Sequence, residues 1–261
     1  PKPQTPNPKP QTPSSVNWTE KKCKVFANFA KQMENVVLSP RKKKRFDRQI
    51  ELFGPAAQAK LIGASAFFGS LTPSLEETAK NLLLSGVGSL SLTPKPKADQ
   101  EYLFGLNPDV ELRSGVDDES LESQTASFRL FAPASLAEYG ELLKKSKGLP
   151  GLQIFVFEWF FGGVILLFRN DALPPPCFAK LRQLSKNDSC LLRLFGDLPF
   201  NDPQDCFAPL SSVIGSLVNQ LILLNLNKPI VTFNAITYNF AEPSNAPLSL
   251  SKSKTYYAIP N

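Results

Sequence analysis

Few residues in this chain could begin a reaction. Cysteines stand at Cys23, Cys177, Cys190 and Cys206, and there is no histidine among 261 residues. A thiol nucleophile or a hydroxyl nucleophile normally draws on a neighbouring base, and imidazole is the commonest base, proton shuttle and metal ligand. None of the cysteines falls in C-x-x-C spacing, so neither a zinc site nor a redox pair is expected. The composition therefore weighs against hydrolase triads and zinc catalysis, and no metal is expected; a thioester cysteine stays open as the alternative. Its scattered thiols fit a reducing compartment, the cytoplasm or the nucleus.

The second concentration of chemistry is charge. Arg41, Lys42, Lys43, Lys44 and Arg45 run consecutively after Ser39-Pro40, in a chain of net charge +6. Two readings stand side by side: a nuclear-localisation run, or a solvated basic linker. A nucleic-acid partner is not expected, because basic stripes interleaved with aromatics are missing elsewhere.

These residues need elements to position them. Residues 1–16 repeat KPQTP and read as a disordered, polyproline-like tail. Residues 17–44 read as an amphipathic helix, with Val25, Phe26, Phe29, Met33 and Val36 at helical spacing, followed by the basic linker. From Phe46 a short helix is expected, broken at Gly54-Pro55, then a buried strand over 64–69. Ser74 and Glu77 have capping-box spacing and predict a helix with Leu75, Ala79, Leu82 and Leu83 on one face, closed by a left-handed Gly86. Strands are expected over 87–92, 107–112 and 127–131, with a helix opened by Ser135 and Glu138 after the last. The apolar window 151–168 is long enough for a membrane span, but Glu158 and Gly162-Gly163 interrupt it, so it reads as two buried strands, 152–157 and 164–168. A crossover loop with a short helix near 177–184 follows, then a four-turn apolar stripe from Leu210 to Leu224, a closing strand over 230–240, and a polar tail over 243–261. Strand and helix alternate, which predicts an α/β, Rossmann-like, mostly parallel sheet flanked by helices with antiparallel additions at one edge.

Such a sheet binds nucleotides at the carboxyl ends of its strands, where a glycine-rich first turn lets backbone amides reach phosphate. Here that turn is Ser70, Leu71, Thr72, Pro73, Ser74 and Leu75. Proline removes a donor, and bulky side chains stand where phosphate would sit. The second strand ends Leu92-Thr93-Pro94-Lys95, with no acid for the ribose hydroxyls. Both halves of the nucleotide grip are missing.

Several segments resemble one family in collinear order. Arg45-Phe-Asp-Arg-Gln-Ile-Glu-Leu-Phe-Gly54, Ala57-Gln58, and Glu77 through Gly88 are similar to the YDRQxRLWG and AKNLxLAGVG segments of activating enzymes for ubiquitin-like modifiers, in the ThiF/MoeB-like superfamily. Leu106 to Val110 resembles their NLNP strand, 155–167 their FGxxGY strand pair, and 207–224 their APxxAVxGGxxAQE helix. In length the chain looks most like the partner without a catalytic cysteine domain, as in the small subunit of the SUMO-activating heterodimer. The resemblance implies a regulatory pseudoenzyme over residues 45–242 that pairs with a catalytic subunit holding ATP and Mg and serves the modifier indirectly. It also implies that Arg48 reaches into the partner's ATP site; the alternative is a surface ion pair with Asp47 or Glu51. The segment between Leu92 and Leu106 is shorter than the family's. A competing reading of the whole chain is a divergent scaffold or membrane-associated protein that keeps only the fold; no membrane partner is expected on the preferred one.

Overall fold

The computed structural model describes residues 38–116, 126–160, 162–169, 182–183, 189–196, 200, 206–227, 233–239 and 253–259. The tail over 1–16, the amphipathic helix beginning at 17 and the short helix near 177–184 lie outside or almost wholly outside them.

Three short helices open the described chain: α1 (Pro40–Arg45), α2 (Asp47–Phe53) and α3 (Pro55–Ile62). The basic run is thus a helix and not an irregular linker. Ser39 precedes it in extended conformation and Pro40 takes the first turn, where its missing N–H costs nothing. Gly54, at φ 84°, makes the break between α2 and α3.

Strand β1 (Ser65–Phe68) leads to α4 (Pro73–Ser85), then β2 (Ser89–Leu92), a 3-10 segment (Ala98–Gly105), β3 (Glu111–Ser114) and β4 (Phe128–Phe131). Helix α5 (Leu136–Ser146) returns the chain to β5 (Leu152–Trp159) and β6 (Gly162–Arg169), after which come α6 (Ser189–Leu194), α7 (Ala208–Asn227), β7 (Phe233–Asn239) and β8 (Ser253–Ile259). The strands form one sheet in the order 3-2-1-4-5-6-7-8. The first five are parallel, and β6, β7 and β8 add on antiparallel, as the patterning predicts.

Alternation divides the sheet's residues between two layers. Phe67, Phe131, Phe155, Phe157 and Phe168 share one face and pack with Tyr139 of α5 and Leu191 and Leu194 of α6. The ring of Phe155 lies 5.1 Å from Phe131, 5.6 Å from Phe168 and 4.8 Å from Tyr139, so the aromatic layer is continuous. On the opposite face, α4 packs along α7, whose Leu210, Ile214, Val218 and Ile222 are buried. Among the described helices α7 alone is long and apolar enough to cross a membrane, and those four side chains are spent on this core. The window 151–168 is a strand pair, with Val156 opposite Ile165 and Trp159 opposite Gly162.

The structure corrects four expectations. The cap of α4 is Thr72, with Pro73 at the first helical position, and Ser74 and Glu77 do not form a capping box. Instead Glu77 pairs with Lys80, and Ser74 turns inward. Residues 107–110 form a turn, not a strand: the Asn107 carboxamide oxygen accepts from the Asp109 amide at 3.1 Å, and the Asn107 carbonyl accepts from the Val110 amide at 3.1 Å. A helix appears at α6, which the patterning did not single out. Finally, the segment read as a polar tail contains β8, paired along its whole length with β7 from Phe233↔Ile259 to Asn239↔Ser253.

Candidate functional site

The crevice of this fold should open where β1 and β4 lead their connections in opposite directions, at the carboxyl ends of those strands. The Gly69 amide donates to the Leu130 carbonyl at 2.9 Å, and the Ala132 amide donates to Ser70 Oγ at 2.8 Å, so the first turn is tied to the end of β4. The phenyl ring of Phe131 covers Gly69 so closely that a Cβ there would lie 2.5 Å from its Cδ1. Ser74 and Leu75, in the first turn of α4, are fully buried, and Pro73 has no amide to offer. Leu71 and Thr72 are half-buried beside them. Ser70 to Leu75 lie together between β1 and the first turn of α4. Pro73 offers no amide and the Gly69 amide is taken by Leu130, so this turn presents fewer donors than a glycine-rich one.

Beneath the first turns of α4 and α7 lies a polar contact that sequence patterning did not single out. Glu158, on β5, is fully buried, and Ser211 Oγ of α7 donates to its Oε1. Burial pushes its carboxyl above the usual glutamate range, while hydrogen bonds from Ser211 and Ser74 pull the other way. Just above, Thr78 Oγ1 donates to the Ser74 carbonyl at 2.9 Å and lies 3.3 Å from the Gly215 carbonyl, where a glycine lets α7 come close to α4. On the aromatic face Arg129 is also buried, donating to the carbonyls of Ala126 and Pro150, and desolvation lowers its pKa to about 10. These groups hold elements together.

The segments that resemble activating enzymes converge on the carboxyl end of α4. Gly86 closes the helix at φ 82° and ψ 42°, with the buried Phe46 ring against it. The Gln58 carboxamide donates to the Ser85 carbonyl at 2.8 Å, and that of Asn107 donates to the Leu83 carbonyl at 2.7 Å. Arg45 and Arg41 reach Asp109 at 3.3 and 3.7 Å. Gln58 and Asn107, from two separate stretches of sequence, thus satisfy carbonyls that a helix end leaves without partners. Arg48 stands apart from this. It lies exposed on α2, its backbone amide donating to Asp47 Oδ1 at 2.7 Å, and neither Asp47 nor Glu51, nor any other described carboxylate, forms an ion pair with its guanidinium. Lys43 and Lys44 are exposed as well. Among the described residues no group of histidine, cysteine, aspartate and glutamate could hold a metal. Cys190 is buried, its Sγ 3.4 Å from the Tyr238 carbonyl, which is no setting for a nucleophile.

No family model matches the chain. Among curated proteins it is similar to SUMO-activating enzyme subunit 1A of Arabidopsis thaliana, 33% identical over 159 residues, which is 59% of this chain and 46% of that protein. The chain thus spans about half the length of the curated relative it matches. Among solved structures, selenomethionine PaaA superposes with a TM-score of 0.60 at 14% identity, covering 94% of each chain. Escherichia coli MccB, solved with AMPCPP and MccA, superposes at 0.58 and 11% identity, covering 94% of this chain and 80% of that one. MccB solved with ATP gives 0.55 at 12% identity with the same coverage. In fold the chain resembles PaaA and MccB. At these identities the likeness is one of architecture, and it agrees with the Rossmann-like sheet described above.

Proposed function

We propose that the chain is a regulatory, non-catalytic subunit of a heterodimeric activating enzyme for a ubiquitin-like modifier of the SUMO kind. What supports this reading is the first turn: in a sheet of the same architecture as MccB, which was solved with ATP, the Phe131 ring covers Gly69, Ser70 Oγ accepts from the Ala132 amide, and Pro73 offers no amide. A chain that keeps the frame but offers few phosphate donors at that turn has use for a partner whose turn is rich in them. The similarity to SUMO-activating enzyme subunit 1A supports the modifier class. On this reading ATP and Mg belong to the catalytic partner, the modifier is engaged through it, and Arg48, exposed and with no ion pair to a described carboxylate, reaches into the partner's site to stabilise phosphate charge. The complex works in nucleus and cytoplasm, with Arg41 to Arg45 available as an import signal.

The test is co-expression with the catalytic subunit of a SUMO-activating enzyme, followed by modifier-dependent pyrophosphate exchange. The expected result is a stoichiometric complex that exchanges, an isolated chain that does not, and an Arg48→Ala complex that assembles normally but exchanges about a hundredfold more slowly, the usual loss for one preorganised donor to developing charge. ATP binding by the chain alone, or failure to form a complex, would refute the proposal.

A further inference from the structure

The basic run has a second property that its charge does not explain. It begins Ser39-Pro40-Arg41-Lys42, a serine followed by proline with a base three residues on. Kinases of the proline-directed class select a residue without an N–H immediately after the acceptor hydroxyl and read a cation shortly beyond it. Proline meets the first demand because it lacks that donor. The chain contains other Ser/Thr-Pro dipeptides: Thr5-Pro6, Thr12-Pro13, Thr72-Pro73 and Thr93-Pro94. Three residues after each threonine stand Pro8, Ser15, Leu75 and Pro96, so none of them has the base. Accessibility separates the described ones further. Thr72 is half-buried at the closed turn and Thr93 Oγ1 is buried. Ser39 is exposed.

We propose that Ser39 is a phosphorylation site for a proline-directed protein kinase of the cyclin-dependent class. Its backbone is already extended, at φ −61° and ψ 155°, as the residue before proline tends to be. Its hydroxyl is held by one long contact, a bond from the Lys42 amide at 3.4 Å. Pro40 to Arg45 bury no side chain, and the anchors on either side of Ser39 and the helix are Leu38 and Phe46, which are buried. Arg41 is tied to Asp109 by a 3.7 Å pair on an exposed surface, which is easily exchanged for a kinase carboxylate. In the reaction Ser39 Oγ attacks the γ-phosphorus of ATP. The new Oγ–P bond forms as the bond to the ADP oxygen breaks, and the hydroxyl proton passes to the kinase's base. The product adds a charge of about −2 at neutral pH directly before the basic run, cancelling part of its positive field.

The experiment uses the full chain, ATP and a purified cyclin-dependent kinase, read by mass spectrometry. One phosphate is expected, on Ser39, absent from Ser39→Ala. In Lys42→Ala the kinase's kcat/KM falls by roughly tenfold, the value of one hydrogen bond to a charged group. The phosphorylated chain should leave a heparin column at lower salt than the unmodified one. The proposal fails if the wild-type chain takes up no phosphate while a control peptide does, if incorporation is the same in Ser39→Ala or Lys42→Ala, or if phosphorylation leaves the heparin elution where it was.

Discussion

Replacing Glu158 tests the account of the α4–α7 seam. Glu158 is fully buried, accepts from Ser211 Oγ, and has its carboxyl raised by desolvation. A raised folded-state pKa means that the native protein holds the proton more tightly than the unfolded chain. Stability from this group is therefore complete below the ordinary glutamate pKa of about 4.3, falls as pH climbs from there to the folded value, and is level above it. Within that window the slope approaches about 1.4 kcal/mol per pH unit for the one proton concerned. Glu158→Gln keeps an acceptor for Ser211 and cannot ionise, so the slope disappears. The stability difference, Gln variant minus wild type, should be smallest near pH 4 and grow in favour of glutamine as pH rises. Glu158→Ala should cost about 2–5 kcal/mol near pH 4, from the cavity and the lost hydrogen bond of Ser211, and that cost should shrink as pH rises, in parallel with the glutamine difference. Urea unfolding across the pH range measures all three proteins. A difference between Gln and wild type that does not change with pH would refute the buried-carboxyl reasoning, and so would one that favours glutamate more at high pH.

Two further substitutions follow from close backbone approaches. At Gly215 a Cβ would stand 2.6 Å from the Ser74 carbonyl and 2.7 Å from Glu77 Cβ, so Gly215→Ala must part α4 from α7; a loss of about 1–3 kcal/mol in urea unfolding is expected. Gly86 combines φ 82° with a Cβ position 2.4 Å from Phe46 Cζ, so Gly86→Ala should cost about 2–4 kcal/mol by the same measurement, more than Gly215→Ala.

The elements read most plainly from sequence were those whose side chains face a single environment. Helix α7 has a stripe repeating every three to four residues, and it lies on the core along that stripe. Strands β5 and β6 were found because Glu158 and the glycine pair broke a run too polar at its middle for lipid. The failures have physical causes too. Thr72-Pro73 gave the start of α4 more directly than Ser74-Glu77 did, since proline favours the first helical position. Asn107 was placed in a strand, although asparagine before Pro-Asp favours a turn closed by its own side chain. Strand β8 was missed because an edge strand has one neighbour to satisfy and needs no continuous apolar face; Tyr256 and Tyr257 were the available signal. At the candidate site, the proline and the bulky side chains of Ser70 to Leu75 were legible from residue types alone. The part played by Phe131 was not, because the ring that closes the turn comes from another strand, sixty residues along the chain.

The pairing of β8 with β7 bears on how this protein can be handled in the laboratory. A fragment cut at residue 242, where composition turns polar, would remove Ser253–Ile259 and leave the outer hydrogen-bonding groups of Phe233–Asn239 facing water. Bare strands of that kind recruit copies of themselves. Such a fragment would be prone to oligomers and precipitates that say nothing about the intact molecule, so expression and interaction work should retain the chain through Ile259.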